Sequence, residues 1–140
     1  MYLLDTNVVS ELRKVRAGKA DKRVAIWADR VDAAELYLSA ITIQELELGV
    51  LLTERRDSEQ GAIFRAWLDG HVLPGFADRI LPVDTAVARR SAKLHVPNPM
   101  PASDALIAAT ALVHGMTVVT RNVADFQTTG AKVINPWRDG

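Results

Sequence analysis

The 140-residue sequence contains no cysteine. This absence excludes thiol nucleophiles, disulfide bonds and zinc sites built on thiolates. Aromatic residues make up only 6% of the chain and hydrophobic residues 49%, so we expect a core built mainly of Leu, Val, Ile and Ala. A chain of this length is near the commonest domain size and can bury a substantial core. We therefore expect one domain over residues 1–140, with no need for a structural metal.

Long hydrophobic runs are also missing. No apolar segment approaches the roughly 20 residues that a membrane span requires. At the N-terminus the chain runs from Met1 directly into a short apolar segment, without the basic region that opens a signal peptide. These features predict a cytoplasmic protein that makes no contact with a membrane.

The chain has no net charge, because 17 basic residues balance 17 acidic ones. General nucleic-acid binders are usually basic, so the total charge counts against one. The basic residues are nevertheless clustered. One group contains Arg13, Lys14, Arg16, Lys19, Lys22 and Arg23, and a second contains Arg89, Arg90, Lys93 and His95. Each group is as consistent with a solvated helix face as with a surface that binds phosphates.

Short apolar runs alternate with segments of helical periodicity. The runs predict strands at Tyr2–Leu4, Glu35–Ala40, Ile80–Val83, Met116–Thr120 and Lys132–Ile134, with Pro82 indicating an edge position. Helices are predicted at Val8–Arg16, Asp21–Val31, from Thr42 onward, at Ala62–Leu73, from Asp84 to about Leu94 and at Ala102–His114. The polar segment Glu54–Glu59 predicts a turn. This alternation predicts an α/β fold with a parallel sheet between two helical layers.

Four acidic residues occupy junctions between strands or loops and the helices that follow: Asp5, Glu45, Asp104 and Asp125. Each also has a purely structural interpretation. Asp5 can cap a helix, Glu45 can form a capping box with Thr42, Asp104 can stabilise a helix N-terminus, and Asp125 can be a turn residue.

Taken together, the four acids predict a metal site. In an open α/β sheet the ligand crevice lies outside the carboxyl ends of the strands, so the four carboxylates are expected to converge there. Converging carboxylates repel one another and favour a bound cation. Because the candidate ligands are hard oxygens, with no Cys and no suitably paired His, we expect Mg²⁺, with Mn²⁺ as a substitute.

Short polar residues stand beside the acids. Thr6, Asn7, Thr120 and Asn122 can hydrogen-bond carboxylates or metal-bound waters, although they also suit ordinary turns and caps. Arg121 can offer a positive charge to a phosphate, and it can equally be a surface residue.

Five segments of the sequence, which include the four acids and their polar neighbours, together resemble the PIN-domain family, in particular its VapC/FitB-type toxins. The segments that carry the resemblance are L-L-D-T-N at Leu3–Asn7, I-T-I-Q-E-L-E-L-G at Ile41–Gly49, D-A-L-I-A-A-T-A at Asp104–Ala111, V-V-T-R-N-V-A-D-F at Val118–Phe126 and V-I-N-P-W at Val133–Trp137. They occur in the family's order and span essentially the whole chain.

The resemblance implies a Mg²⁺-dependent ribonuclease, a hydrolase of RNA phosphodiesters, built on a three-layer fold with a five-stranded parallel sheet. It implies that Asp5, Glu45, Asp104 and Asp125 are the catalytic acids. The first three are the expected metal ligands, whereas Asp125 need not touch the metal. Candidate contacts to the RNA backbone are then Arg13, Lys14, Arg16, Arg89, Arg90, Lys93 and Arg121.

The resemblance also implies partners. Toxins of this type form homodimers and are silenced by a small DNA-binding antitoxin of the VapB/FitA kind, in higher oligomers. An apolar groove among the N-terminal helices is expected to receive an antitoxin helix. Leu48, Leu51, Leu52, Phe64, Trp67 and Leu68 are candidates to line such surfaces, although we expect most of them to lie in the core.

Other functions fit the sequence less well. A haloacid-dehalogenase-like phosphotransferase needs a second Asp where this chain has Asn7. A metal-free ribonuclease needs paired histidines, and His71, His95 and His114 share no motif. The Gly-rich Lys motif of P-loop NTPases is absent. A catalytically silent PIN-like module that binds RNA or protein remains the alternative, and the presence of all four acids disfavours it.

Overall fold

Five short strands form the centre of the computed structural model, which describes residues 1–139. They are β1 (Tyr2–Leu4), β2 (Leu36–Ser39), β3 (Ile80–Leu81), β4 (Thr117–Val119) and β5 (Val133–Ile134). All neighbours pair in parallel in the order β3-β2-β1-β4-β5. In this register Leu3 lies opposite Tyr37 on one side and Val118 on the other. The predicted five-stranded parallel sheet is therefore confirmed, and Pro82 follows an edge strand as expected.

The helices alternate with these strands. They are α1 (Thr6–Leu12), α2 (Lys22–Arg30), α3 (Ala40–Arg56), α4 (Ser58–Trp67), α5 (Leu73–Gly75), α6 (Thr85–Leu94) and α7 (Ala102–His114). A π-helical segment (Leu68–Val72) joins α4 to α5, and 3-10 helices span Ala33–Glu35 and Val123–Thr129. No helix within residues 1–139 combines the length and apolarity that crossing a membrane requires.

Two apolar clusters cover the two faces of the sheet. Because consecutive strand residues point to opposite faces, Leu3 and Leu4 belong to different clusters. The Leu4 cluster packs against α1 to α4 and the π-helical segment, and it includes Val8, Trp27, Leu46 and Leu68. The Leu3 cluster packs against α7 and the second 3-10 helix, and it includes Ile107, Val118 and Phe126. Buried contacts on both faces produce the predicted three-layer architecture.

Side-chain caps define several helix boundaries. The Asp21 carboxylate caps α2 and that of Asp84 caps α6, at the positions where the sequence predicted these helices to begin. Gly115, with φ of 66°, ends α7 in the left-handed conformation that glycine adopts without strain. Because the Asp5 carboxylate accepts the N–H of Thr6, α1 begins at Thr6 rather than at the predicted Val8.

The start of α3 differs from the prediction. Ser39, not Thr42, is the cap, because its Oγ accepts the N–H of Ile41 at 3.0 Å. The helix therefore begins at Ala40, and Thr42 is an interior residue whose side chain is fully buried. The predicted capping box between Thr42 and Glu45 is wrong, and Glu45 lies in the second helical turn.

The polar segment Glu54–Glu59 does not form the predicted turn. Helix α3 continues to Arg56 and α4 starts at Ser58, so the chain leaves helical geometry only at Asp57. The Asp57 carboxylate accepts the N–H groups of Glu59 and Gln60 at 3.1 Å each. The polar residues are thus the exposed ends of two helices that meet at one strong cap.

The apolar residues of α3 and α4 are less buried than predicted. Leu48, Leu51 and Leu52 are 54%, 51% and 56% exposed, and Ile63 is 58% exposed. The side of α3 that faces the core consists of Thr42, Leu46, Val50 and Thr53. Of the six residues proposed to line partner surfaces only Leu68 is fully buried, whereas Phe64 and Trp67 are partly exposed. The expectation that most of the six belong to the core is wrong.

Candidate active site at the carboxyl edge of the sheet

Asp5 lies directly after β1 in the centre of the sheet. Its N–H continues the pairing with β4 by donating to the carbonyl of Val119 at 2.9 Å. Its carboxylate accepts two short hydrogen bonds, from the Thr6 N–H at Oδ1 and from the Thr120 hydroxyl at Oδ2, both at 2.8 Å. Asp5 is only 7% exposed. Burial raises its pKa, the bonds from Thr120 and Thr6 partly offset this, and the charge of Asp125 adds to the rise.

A polar network extends from Asp5 across the ends of β1 and β4. The Asn7 amide donates to Asp5 Oδ2 at 3.4 Å and to Thr120 Oγ1 at 3.3 Å. Its carbonyl oxygen accepts the backbone N–H of Arg121 at 3.2 Å. Asn122 joins through its backbone, whose N–H donates to Thr120 Oγ1 at 3.0 Å. Thr120 and Asn7 therefore contact the buried carboxylate by their side chains, as the sequence predicted, and Asn122 supports them through its main chain.

Thr6 connects two of the acids. Its N–H binds Asp5, and its hydroxyl donates to Glu45 Oε1 at 2.6 Å. Because Glu45 projects from the second turn of α3, this bond ties α3 to the first turn of α1. The sequence pattern suggested a capping box between Thr42 and Glu45, whereas in the structure the Glu45 carboxylate accepts a hydrogen bond from Thr6.

Asp104 brings the fourth chain segment into the site. It lies in the first turn of α7 and is half-buried. Burial, with a smaller contribution from the charges of Asp5, Asp125 and Glu45, raises its pKa to about 6. Carboxylates perturb one another in this way only when they lie close together. Thr6 joins Asp5 to Glu45, and the charges of Asp104 and Asp125 act on Asp5 or on each other, so the four predicted acids share one edge of the sheet, with Asp125 exposed on the second 3-10 helix.

Within residues 1–139, no basic side chain forms an ion pair with any of the four acids. The ion pairs found within residues 1–139 involve other acids, such as Glu11, Glu47 and Asp78. No set of three or more Asp, Glu or His side chains in this part of the chain is arranged to enclose a metal ion. Mg²⁺ usually keeps several waters and binds through one or two carboxylates, so an open set of hard oxygen donors fits this ion.

Two depressions flank the acids. On the α3 side, a groove of about 220 Å³ is lined by Thr6, Glu45, Val50, Phe64 and Trp67, together with Arg13. The Arg13 guanidinium stacks over the Phe64 ring, 4.5 Å from its centroid. On the β5 side, a cleft of about 550 Å³ is lined by Arg121, Asn122, Asp125, Asn135, Arg138 and their neighbours.

The basic residues predicted to contact RNA lie in different depressions of the surface, and only two of them share a depression with one of the four acids. Arg13 shares the groove with Glu45, and Arg121 shares the cleft with Asp125. The other candidates lie elsewhere. Lys14 pairs with Glu11 at 3.3 Å, Arg16 lies beside Leu12 and Ile63, and Arg89, Arg90 and Lys93 surround a shallow hollow on α6.

Several residues at the site escaped the sequence-based prediction. Arg138 and Asn135 line the cleft, and the Asn135 amide donates to the Arg121 carbonyl at 3.4 Å. The V-I-N-P-W segment that resembles the PIN-domain family includes Asn135, so the signal was present without an assigned role. Away from the site, the α3 cap Ser39 was also missed, because Thr42 offered an equally good local capping pattern.

Comparison with known proteins agrees with this architecture. Residues 2–131 match the PIN domain family model. The chain is 40% identical over 142 residues to "VapC ribonuclease Y4jK" of Sinorhizobium fredii, with 98% of both chains covered. It is 41% identical over 145 residues to "Toxin FitB" of Neisseria gonorrhoeae, covering 99% of this chain and 100% of the relative. The crystal structure of FitAcB from Neisseria gonorrhoeae superposes with a TM-score of 0.88 at 38% identity, covering 99% of each chain. The chain therefore belongs to the PIN-domain family.

Proposed function

We propose that this protein is a Mg²⁺-dependent endoribonuclease and the toxin of a toxin–antitoxin pair. The observation that carries the proposal is the placement of Asp5, Glu45, Asp104 and Asp125 at one edge of the sheet. There Thr6 joins Asp5 to Glu45 by hydrogen bonds, and no basic side chain among residues 1–139 forms an ion pair with any of the four acids. Relatives named ribonuclease and toxin match nearly the entire chain, which supports the same reaction here.

In this proposal Asp5 and Asp104 would be the main metal ligands, Glu45 would complete the site or hold a metal-bound water, and Asp125 would add negative charge from the solvent side. When bound there, Mg²⁺, or Mn²⁺ in its place, would supply Lewis acidity to polarise a phosphodiester and to lower the pKa of an attacking water. With a pKa of about 6, Asp104 is largely ionised at neutral pH and so can act as a ligand. A cation at the site would relieve the repulsion that raises this pKa.

The chain's own contribution is to hold the acids in place before substrate arrives. Thr120 and the Thr6 N–H fix both oxygens of Asp5. The Thr6 hydroxyl aims Glu45 at the same region. Such preorganisation reduces the reorganisation needed as charge develops in the transition state. The basic candidates named above would contact the RNA backbone, with Arg13 and Arg121 next to the acids.

We propose a small DNA-binding antitoxin as the partner. One similar structure, with 37% identity and a TM-score of 0.88, is described as FitAB bound to an IR36 DNA fragment. The groove lined by Glu45, Phe64 and Trp67 has the apolar character that suits an amphipathic helix. The exposed Leu48, Leu51 and Leu52 supply further apolar surface for an antitoxin or for a second copy in a homodimer.

The test is RNA cleavage by the purified protein, freed of antitoxin. We expect cleavage in Mg²⁺ or Mn²⁺ and none in EDTA. Asp5→Asn and Asp104→Asn should each reduce the cleavage activity. The reduction should exceed the roughly 10- to 100-fold loss expected when a residue that only supports a metal ligand is replaced. Asp29→Asn, an exposed change on α2, removes the same charge and should retain full activity. Undiminished cleavage by Asp5→Asn or Asp104→Asn would refute the metal-site assignment.

The second candidate is a catalytically silent PIN-like module that binds RNA or a protein partner. It would appear as a folded protein that binds RNA or an antitoxin and cleaves no RNA at any Mg²⁺ concentration. The buried network around Asp5 favours the enzyme, because binding alone does not require a carboxylate to be buried at 7% exposure.

A further inference from the structure

The cleft beside β5 carries two arginines: Arg121, one of the candidate contacts to the RNA backbone, and Arg138, which has no role in the function proposed so far. Arg121 and Arg138 are both exposed and both line this cleft of about 550 Å³. Neither guanidinium forms an ion pair within the described residues 1–139. Asp125, one of the four converging acids, lines the same cleft. Two positive groups without acidic partners therefore adjoin the proposed catalytic centre.

Arg121 is held on both sides of its backbone. Its N–H donates to Asn7 Oδ1 at 3.2 Å, and its carbonyl accepts the Asn135 amide at 3.4 Å. Because Asn7 also contacts Asp5, the position of Arg121 is coupled to the acid site. Its guanidinium stacks over the ring of Trp137, 5.3 Å from the centroid, and Trp137 is only 9% exposed. A stacked guanidinium is preorganised and keeps its N–H edge free for an anion.

The C-terminal turn places Arg138 in the lining of the same cleft. Asn135, 5% exposed, accepts the Trp137 N–H at its Oδ1 and the Arg138 N–H at its carbonyl. Its own N–H donates to Asp139 Oδ2 at 2.9 Å. Asp139 lines the cleft too, but this hydrogen bond engages its carboxylate within the turn. Asp125 is then the other acidic group of the cleft, and it belongs to the acid site.

An RNA substrate carries a negatively charged phosphate at every nucleotide. The four carboxylates of the acid site repel the phosphates on either side of the cleaved one. Arginine binds phosphate through paired N–H groups, and this recognition is independent of base sequence. Resting on the function proposed above, we propose that Arg121 and Arg138 form a subsite for the RNA phosphate adjacent to the cleaved one. Trp137 is a positioning residue that holds the Arg121 guanidinium in the cleft.

The experiment measures binding of a fluorescent single-stranded RNA oligonucleotide to the full-length protein in EDTA, over a series of KCl concentrations. Each phosphate contact on single-stranded nucleic acid contributes about 0.7 to the slope of log K against log salt, or about fivefold in affinity near 0.1 M salt. Arg121→Gln and Arg138→Gln should each lose about this slope and affinity. Arg121→Lys should keep the slope because it keeps the charge. Arg56→Gln, exposed at the end of α3, is the control for net charge and should change neither.

Cleavage kinetics in Mg²⁺ provide the second readout. Arg121→Gln should raise KM with little change in kcat, because its phosphate contact exists before and during the chemical step. If the wild type binds and cleaves RNA but both glutamine variants behave like Arg56→Gln, the subsite is refuted and the proposed function stands. If the wild type neither binds nor cleaves RNA, the proposed function fails and the subsite fails with it.

Discussion

The hydroxyl of Thr120 donates a buried hydrogen bond to Asp5 Oδ2 at 2.8 Å, which joins the side chains of two residues at the site. Thr120→Val removes this hydroxyl and preserves the shape of the side chain. A hydrogen bond to a charged group contributes about 1.5–3 kcal/mol. Because Asp5 is 7% exposed and Thr120 fully buried, water is poorly placed to replace the lost donor. We expect the metal-free protein to lose about 1.5–3 kcal/mol of unfolding free energy at neutral pH.

This loss should depend on pH in a defined direction. Burial raises the pKa of Asp5 above its ordinary value, so the folded state binds its proton more tightly than the unfolded chain. The unfolding free energy therefore falls as pH rises through the window between these two pKa values. The Thr120 hydroxyl limits the fall by stabilising the ionised carboxylate. Valine should thus raise the pKa of Asp5 further, and its cost should be largest where Asp5 is ionised and small in acid.

Urea unfolding in EDTA, at neutral pH and in acid, measures both effects. Thr120→Ser is the matched control, because it keeps the hydroxyl and loses one methyl group, worth about 0.8 kcal/mol. The valine variant should also need more Mg²⁺ for cleavage and reach full activity only at higher pH. Equal costs for valine and serine, or a valine cost that persists undiminished in acid, would refute the reasoning.

Three further predictions concern the neighbouring acids and the α3–α4 hairpin. In the folded state above pH 6, Asp104 carries a negative charge that burial and three neighbouring carboxylates disfavour, and Asp104→Asn removes it. The Tm of the metal-free protein at neutral pH should therefore rise, and the increase in Tm on adding Mg²⁺ should disappear. A lower Tm of the metal-free variant would contradict this. Gly61→Ala places a Cβ 2.8 Å from the backbone N atom of Glu54 and should cost about 1–3 kcal/mol in urea unfolding. Gly49→Ala meets open space in α3 and should gain about 0.5–1 kcal/mol, so equal effects at the two glycines would disprove the packing argument. Thr6→Val should lower kcat/KM by about 10- to 100-fold at limiting Mg²⁺ and Thr6→Ser should restore it, whereas full activity of the valine variant would exclude an orienting role.

Much of the fold follows from features that act over a few residues. The apolar runs that form β1 and β4, the carboxylates that cap α2 and α6, and the Gly115 stop of α7 depend on neighbours within one helical turn or one strand. The predicted positions of these two strands, the starts of α2 and α6 and the end of α7 agree with the structure. The convergence of four acids was also predictable, because the carboxyl ends of parallel strands share one edge of the sheet.

Local patterns failed where two segments compete or where burial depends on distant parts of the chain. Ser39 and Thr42 are both good caps, and the choice of Ser39 follows where β2 ends its pairing, with Ser39 opposite Leu81 of β3. The leucines of α3 are alike in sequence, yet Leu46 is 6% exposed and Leu48 is 54% exposed. Only the direction in which α3 packs on the sheet decides which of them faces the core.

By itself, the sequence determined the parallel α/β class, the identity of the four acids and their placement just after strands or in early helical turns. The tertiary structure decided which groups support them. The bond from Thr6 to Glu45 spans two helices, and the bond from Thr120 to Asp5 spans two neighbouring strands far apart in the chain. The cleft that unites Arg121 with Arg138 exists because the C-terminal turn returns beside β4. Such contacts depend on strand order and helix packing, which no local pattern encodes, because they arise only when the whole core is buried.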